Sequence, residues 1–248
     1  MRVKVFQSAG QLSEFAAERF IEIGARAVSE KGAFSVALAG GSTPKGLYSL
    51  LASEKYREKI SRESVFFYFG DERNVPPDDA ESNYRMAKEN LFDLLEIPVR
   101  NIFRWKTELK DEKSTAADYA KTLEETFDLS GGAFPRFDLI LLGMGADGHT
   151  ASLFPFTAAL AENEKTAVAN WAEKINAWRF TLTFPVINNA SNVFFLVTGE
   201  DKAETLKEVL EGGRDPQRLP AQGVKPSNGE LLWLVDRAAA RLLETAKP

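Results

Sequence analysis

The chain has 248 residues, of which 44% are apolar and 27% charged, with 36 acids against 31 bases for a formal net charge of −5. That composition excludes collagen-like, mucin-like and wholly disordered classes, and the acidic balance argues against bulk attraction to nucleic acid or an anionic membrane. The absence of cysteine removes disulfides, thiolate nucleophiles and Cys-based metal sites, and the single histidine, His149, removes multi-histidine centres such as HExxH.

The N-terminal Met-Arg-Val-Lys-Val-Phe-Gln shows one short apolar alternation and lacks the apolar core of a signal peptide. No run is long enough to span a bilayer, so the expected location is cytoplasmic. Leu12, Phe15, Ala16, Phe20, Ile23 and Ala27 recur at helical spacing, with Gly32 as the stop. Residues 34–39 form a strand-length apolar run that ends in Gly40-Gly41-Ser42-Thr43-Pro44, and a helical pattern follows at Leu47, Leu50 and Leu51. Residues 65–69 are nearly all apolar, as in a strand buried on both faces. They end in Gly70-Asp71-Glu72-Arg73, and a proline-containing loop leads to a helix around 84–95.

A helix over 111–127 buries Ala116, Ala117, Ala120, Leu123 and Phe127. Residues 137–142, apolar but for Asp138, are a third strand, ending in Gly143-Met144-Gly145-Ala146-Asp147-Gly148-His149. Strands are expected at 179–184, 193–198 and 231–235, with helices at about 201–210 and 236–245. Between them, 211–229 is long, irregular and rich in glycine and proline, a kind of loop that is usually functional or mobile. Strand alternating with helix predicts an α/β, Rossmann-like fold: a single open, mostly parallel twisted sheet with helices on both faces. No linker or internal repeat interrupts it, so 1–248 reads as one domain.

In such sheets ligands bind outside the carboxyl ends of the strands. Three strands here end there in polar, glycine-containing loops. Gly40, Gly41, Ser42 and Thr43 have the parts of an anion cradle at a helix N-terminus, although the Gly-Lys-Ser/Thr of a Walker loop is missing. An ordinary turn with a hydroxyl cap would look the same. Gly143-x-Gly145-x-x-Gly148 matches the dinucleotide fingerprint literally, but Pro155 cuts short the helix that should follow and no acid ends a second strand at the right distance. His149 is the residue type suited to proton transfer at neutral pH, follows a glycine turn at a strand end and lies two residues after Asp147. With no GxSxG elbow, the chemistry left is general acid–base action by one imidazole. Asp71, Glu72 and Arg73 form a charge cluster at a second strand end, and Arg179 opens a later strand.

Together these motifs resemble the 6-phosphogluconolactonase family. The matching pieces are Ala39-Gly40-Gly41-Ser42-Thr43-Pro44, Gly70-Asp71-Glu72-Arg73, Ser82-Asn83-Tyr84, the segment from Gly143 through His149 to Pro155, Arg179-Phe180-Thr181-Leu182-Thr183, Thr198-Gly199-Glu200-Asp201-Lys202, Leu219-Pro220-Ala221-Gln222 and Asp236-Arg237-Ala238-Ala239-Ala240. They run in family order from about residue 36 to the end. Two small departures are Phe156, where the family usually has glycine, and Trp178, where proline is common.

The resemblance implies hydrolysis of 6-phospho-D-glucono-1,5-lactone to 6-phosphogluconate in the oxidative pentose phosphate route, with a small phosphosugar lactone as partner, no cofactor and no metal. His149 is then the base, with Asp71 and Asp147 orienting it or binding sugar hydroxyls. Arg73 and Arg179, with Lys202 as a third cation, are expected to hold the phosphate. Gly40, Gly41, Ser42, Thr43, Gly145 and Gly148 are expected to line the substrate or supply backbone donors. The chain is expected to be a monomer or small homo-oligomer. The related glucosamine-6-phosphate deaminases look similar but carry a glutamate where this chain has Phe154. A non-catalytic sugar-phosphate sensor is the third reading; such a sensor typically carries a DNA-binding module, and nothing in this sequence resembles one.

Overall fold

Six strands run parallel in one sheet: β1 (Arg2–Phe6), β2 (Phe34–Leu38), β3 (Val65–Phe69), β5 (Leu139–Leu142), β8 (Asn192–Val197) and β9 (Glu230–Asp236), in the order β1-β9-β8-β5-β2-β3. Every residue of β2, β5 and β8 is buried, which explains why they are apolar apart from Ser35 and Asn192: parallel strands are covered on both faces. The computed structural model describes residues 1–244. The open α/β architecture is the one the strand and helix alternation predicts.

The helices are α1 (Ala9–Lys31), α2 (Ser42–Leu51), α3 (Asn83–Ala87), α4 (Asp93–Leu95), α5 (Glu112–Thr126), α6 (Phe184–Asn189) and α7 (Ala203–Glu211). The stop signal for α1 is Gly32, which takes the left-handed conformation at φ 77° and bonds back to the Val28 carbonyl. The helix expected around 84–95 is α3 and α4 joined by a π-helical turn, Lys88–Phe92. The helix expected at 236–245 does not form; residues 237–242 are turns, and residue 245 lies outside the described residues.

A second, antiparallel sheet was not foreseen. It joins β4 (Asp71–Arg73), β7 (Ala177–Leu182) and β6 (Ala167–Ala172) in the order β4-β7-β6. The strand expected at 179–184 belongs to it as β7 and stops two residues early, because α6 begins at Phe184 with Pro185 in its first turn.

Two buried tyrosines fix the strand ends from which the site loops depart. The Tyr48 hydroxyl accepts from the Ala39 N–H at 3.0 Å and donates to the Ala39 carbonyl at 2.8 Å. Tyr119 does the same at Phe69, at 2.8 and 3.0 Å, and Trp105 Nε1 donates to that carbonyl as well. Burial pushes both phenols up, so both stay neutral donors.

Candidate active site

From β2 the chain runs outward to β3 and then returns to β5 on the other side of β2. The strand order reverses there, and at such a reversal the loops leaving adjacent strands part to leave a crevice. The loops concerned follow β2 (Gly40, Gly41) and β5 (Gly143 to His149). Ser42 and Thr43 are the first residues of α2. Thr43 Oγ1 lies 2.7 Å from Thr198 Oγ1, after β8. With Gly10, Ser13 and Glu14 of α1, these hydroxyl residues line a cleft of about 650 Å³. Gly40 backs onto Asn83 so closely that a Cβ there would lie 2.0 Å from the Asn83 side-chain oxygen.

His149 is held on three sides. Its Nδ1 lies 2.5 Å from Asp147 Oδ1, and its backbone N–H donates to the same oxygen at 3.3 Å. Its ring stacks on Phe154 at 4.4 Å between centroids. Its third wall is Gly145, where a Cβ would sit 2.1 Å from the imidazole Nδ1 and Cε1. Since an ionised carboxylate only accepts, the contact with Asp147 puts the ring proton on Nδ1 and leaves Nε2 as the basic nitrogen. Burial works against the charged form of Asp147, but hydrogen bonds from His149 and Lys174 outweigh it and hold the carboxyl well below the usual carboxylate range.

The glycines of this loop shape it. The Gly145 N–H donates to the His149 carbonyl at 2.9 Å, and the Gly148 N–H to the Gly145 carbonyl at 3.0 Å. Both amides are therefore committed within the loop, where the two glycines make room for the imidazole and turn the chain. Gly148 sits at φ 80°, where L residues are strained. No full helix follows it, as Pro155 predicts. Instead the 211–229 loop closes over the turn, with the Ala221 N–H on the Gly148 carbonyl at 2.9 Å and the Phe156 N–H on the Gln217 carbonyl at 3.0 Å.

The second sheet clamps this loop through buried Ser152. The Ser152 hydroxyl donates to Asp71 Oδ2 of β4 at 2.7 Å, and its N–H donates to Thr181 Oγ1 of β7 at 3.3 Å. Its carbonyl accepts from Asn170 Nδ2 of β6 at 2.9 Å. Asp71, placed by sequence beside His149 or the sugar, bonds to Ser152 and Asn83 and has no hydrogen bond to the imidazole. Buried Glu72 is pushed up by burial despite three backbone donors; it accepts from the Arg73, Asn83 and Tyr84 N–H groups and so caps α3. Asp71, Glu72 and Asp147 therefore have separate partners, and among the described residues no three His, Asp or Glu side chains meet as a metal would need.

The clamp also carries the cations. Arg73 and Arg179 are paired residues of β4 and β7. Lys202 stands on a different element, the Glu200–Lys202 turn before α7, and is engaged by Asp201 at 2.6 Å. The sequence reading missed Lys174, Ser152 and Asn83. Ser152 and Asn83 stood inside quoted motifs with nothing in their spacing to mark a role, and Lys174 stands in a polar stretch with no motif at all.

The family model for "Glucosamine-6-phosphate isomerases/6-phosphogluconolactonase" matches residues 7–233. The chain is 42% identical over 218 residues to a 6-phosphogluconolactonase of Synechocystis, covering 88% of each. It is 39% identical to that of Homo sapiens, covering 97% of this chain and 93% of the other. Among solved structures, a 6-phosphogluconolactonase from Trypanosoma cruzi superposes with a TM-score of 0.86 at 31% identity, covering 98% of this chain and 97% of that one.

Proposed function

The chain belongs to the family of glucosamine-6-phosphate isomerases and 6-phosphogluconolactonases, and from that premise we propose that it hydrolyses 6-phospho-D-glucono-1,5-lactone to 6-phosphogluconate with His149 as general base. The lactonase names of its relatives, at around 40% identity over most of the chain, support the reaction. The observation that carries the mechanism is the Asp147–His149 contact at the strand-order reversal.

A lactone is an ester, so the work is to deprotonate an attacking water and stabilise the oxyanion. His149 Nε2 takes the proton as the water oxygen bonds to the carbonyl carbon. When the tetrahedral intermediate collapses, the bond from that carbon to the ring oxygen breaks and the imidazolium returns its proton to that oxygen. Asp147 keeps the tautomer fixed and favours the imidazolium. Of the loop amides, those of Met144, Ala146 and Asp147 have no internal acceptor among the described residues and are the candidates for the oxyanion. Arg73 and Arg179 take the phosphate, since a guanidinium pairs with it bidentately, and the Ser42 and Thr43 hydroxyls meet the sugar. The setting proposed is cytoplasmic; no described helix is long and apolar enough to cross a membrane.

The test is one preparation assayed twice. It is expected to hydrolyse the phosphorylated lactone above the spontaneous rate, undiminished by EDTA, and to release no ammonia from glucosamine 6-phosphate, for which Phe154 supplies no carboxylate. Stoichiometric ammonia would overturn the lactonase reading. His149→Ala is expected to fold and lose roughly 10²–10⁴-fold in kcat; a variant that keeps full activity would remove His149 from the mechanism.

A further inference from the structure

Each oxygen of Asp147 has its own partner: Oδ1 faces His149 Nδ1 at 2.5 Å, and Oδ2 accepts from Lys174 Nζ at 2.9 Å. Lys174 comes from the Glu173–Ile175 turn at the tip of the β6–β7 hairpin, so the second sheet reaches the histidine's partner directly. The Lys174 side chain is 67% exposed and that of Asp147 only 18%. An ion pair this open adds little to stability. Its effect falls on the dyad.

We propose that Lys174 is a positioning residue for His149, acting through Asp147; the proposal rests on the lactonase reading above. One effect is orientation. A carboxylate rotating freely would offer either oxygen to the imidazole, whereas an ammonium on Oδ2 leaves Oδ1 to Nδ1. The other is charge. A bare carboxylate would strongly favour imidazolium, and the lysine cation offsets part of that field, so Nε2 stays free to accept a proton at lower pH. The charged residues lining the adjoining cavity, about 930 Å³, are Asp147, Glu173, Lys174 and Arg218. Arg218 is engaged by Glu208 at 2.6 Å, and Glu173 enters no ion pair among the described residues, so Lys174 is the cation paired with Asp147.

The single histidine makes the test direct: one imidazole titrates in the proton NMR spectrum, without substrate. Lys174→Met is expected to raise the His149 midpoint by roughly half a pH unit, the scale for losing one exposed charge within a Debye length. Lys174→Arg is expected to restore it, and in an Asp147→Asn background Lys174→Met is expected to move it much less. In the lactonase assay the acid limb of kcat moves the same way, so that kcat on that limb falls about threefold, the loss of neutral imidazole that half a unit produces.

An unmoved midpoint overturns the proposal, as does a moved midpoint with an unchanged acid limb. A rise in KM with the midpoint unchanged makes Lys174 a substrate contact instead. If the wild type hydrolyses no lactone, the functional reading fails by itself, while the NMR titration still reports whether Lys174 acts on the dyad.

Discussion

Arg73 of β4 lies directly opposite Arg179 of β7 in antiparallel register, and among the described residues neither guanidinium has a carboxylate within ion-pair distance. Among the described residues, the guanidinium hydrogen bonds go to backbone carbonyls, of Glu81 and Trp178. Burial, and next the Arg73 charge, push the Arg179 guanidinium down. Like charges set opposite each other across two strands cost free energy, and a protein keeps such a pair where an anion relieves it. Inorganic phosphate at ten times its Kd is expected to stabilise the wild type by about 1.4 kcal/mol, and Arg73→Ala or Arg179→Ala to abolish that gain and raise KM for the phosphorylated lactone. Thermal denaturation with and without phosphate checks it. If both variants respond to phosphate as the wild type does, the anion site is elsewhere.

Gly145 separates folding from chemistry. Its φ is not in the left-handed region, so the backbone accepts alanine, but the added methyl would overlap the His149 ring. Gly145→Ala is therefore expected to melt within a few degrees of wild type while kcat falls on the order of 10²-fold or more, the worth of a correctly held general base. Retained activity would mean that the imidazole works from another position than the one Asp147 holds.

The three strands whose ends frame the site were legible because parallel, doubly covered strands are largely apolar, and 34–39, 65–69 and 137–142 are apolar but for Ser35 and Asp138, which hydrogen-bond to each other at 2.9 Å. The second sheet was not. β4 is the three polar residues Asp71, Glu72 and Arg73, and β6 has no clean alternation of exposed and buried residues. They are strands because their backbones pair with β7, and sequence patterning records burial more than partnership. His149 and Asp147 could be singled out from glycine spacing and chemistry. Lys174 could not, since nothing local marks a lysine whose partner lies 27 positions earlier. The turns at 237–242 replace an expected helix that the run of alanines favours by propensity alone, a weak prior.

Asp147 makes acid stability testable. Its carboxyl is held low in the fold and takes an ordinary value of about 3.9 when unfolded. The unfolded chain therefore binds this proton first as pH falls. The stabilisation is fully present above about pH 4 and drains away below it, towards the folded value. Asp147→Asn is expected to be less stable than wild type at pH 7 and to lose less stability between pH 5 and pH 3. Urea denaturation at the three pH values measures both. Parallel losses in the two proteins would show that other carboxylates carry the acid sensitivity.

Phe156 is held at φ 60° and the residue is 73% exposed, beside a cavity that Trp171 and Trp178 also line. A left-handed conformation costs a non-glycine residue about 1–2 kcal/mol. So exposed a ring recovers little of that by burial. The residue is kept in place by its own N–H on the Gln217 carbonyl and by Thr157, whose hydroxyl donates to the Phe154 carbonyl at 2.8 Å. Glycine adopts the same φ without strain and loses more chain entropy on folding, by about 0.5–1 kcal/mol. The balance predicts that Phe156→Gly raises stability by about 0.5–1 kcal/mol, read as a higher urea midpoint at constant slope. Activity on the phosphorylated lactone is expected to hold, since Phe154 and not Phe156 stacks on His149. A destabilised variant would show that the aromatic ring makes a stabilising contact its exposure conceals, and a large loss of kcat would bring Phe156 into the substrate's surroundings.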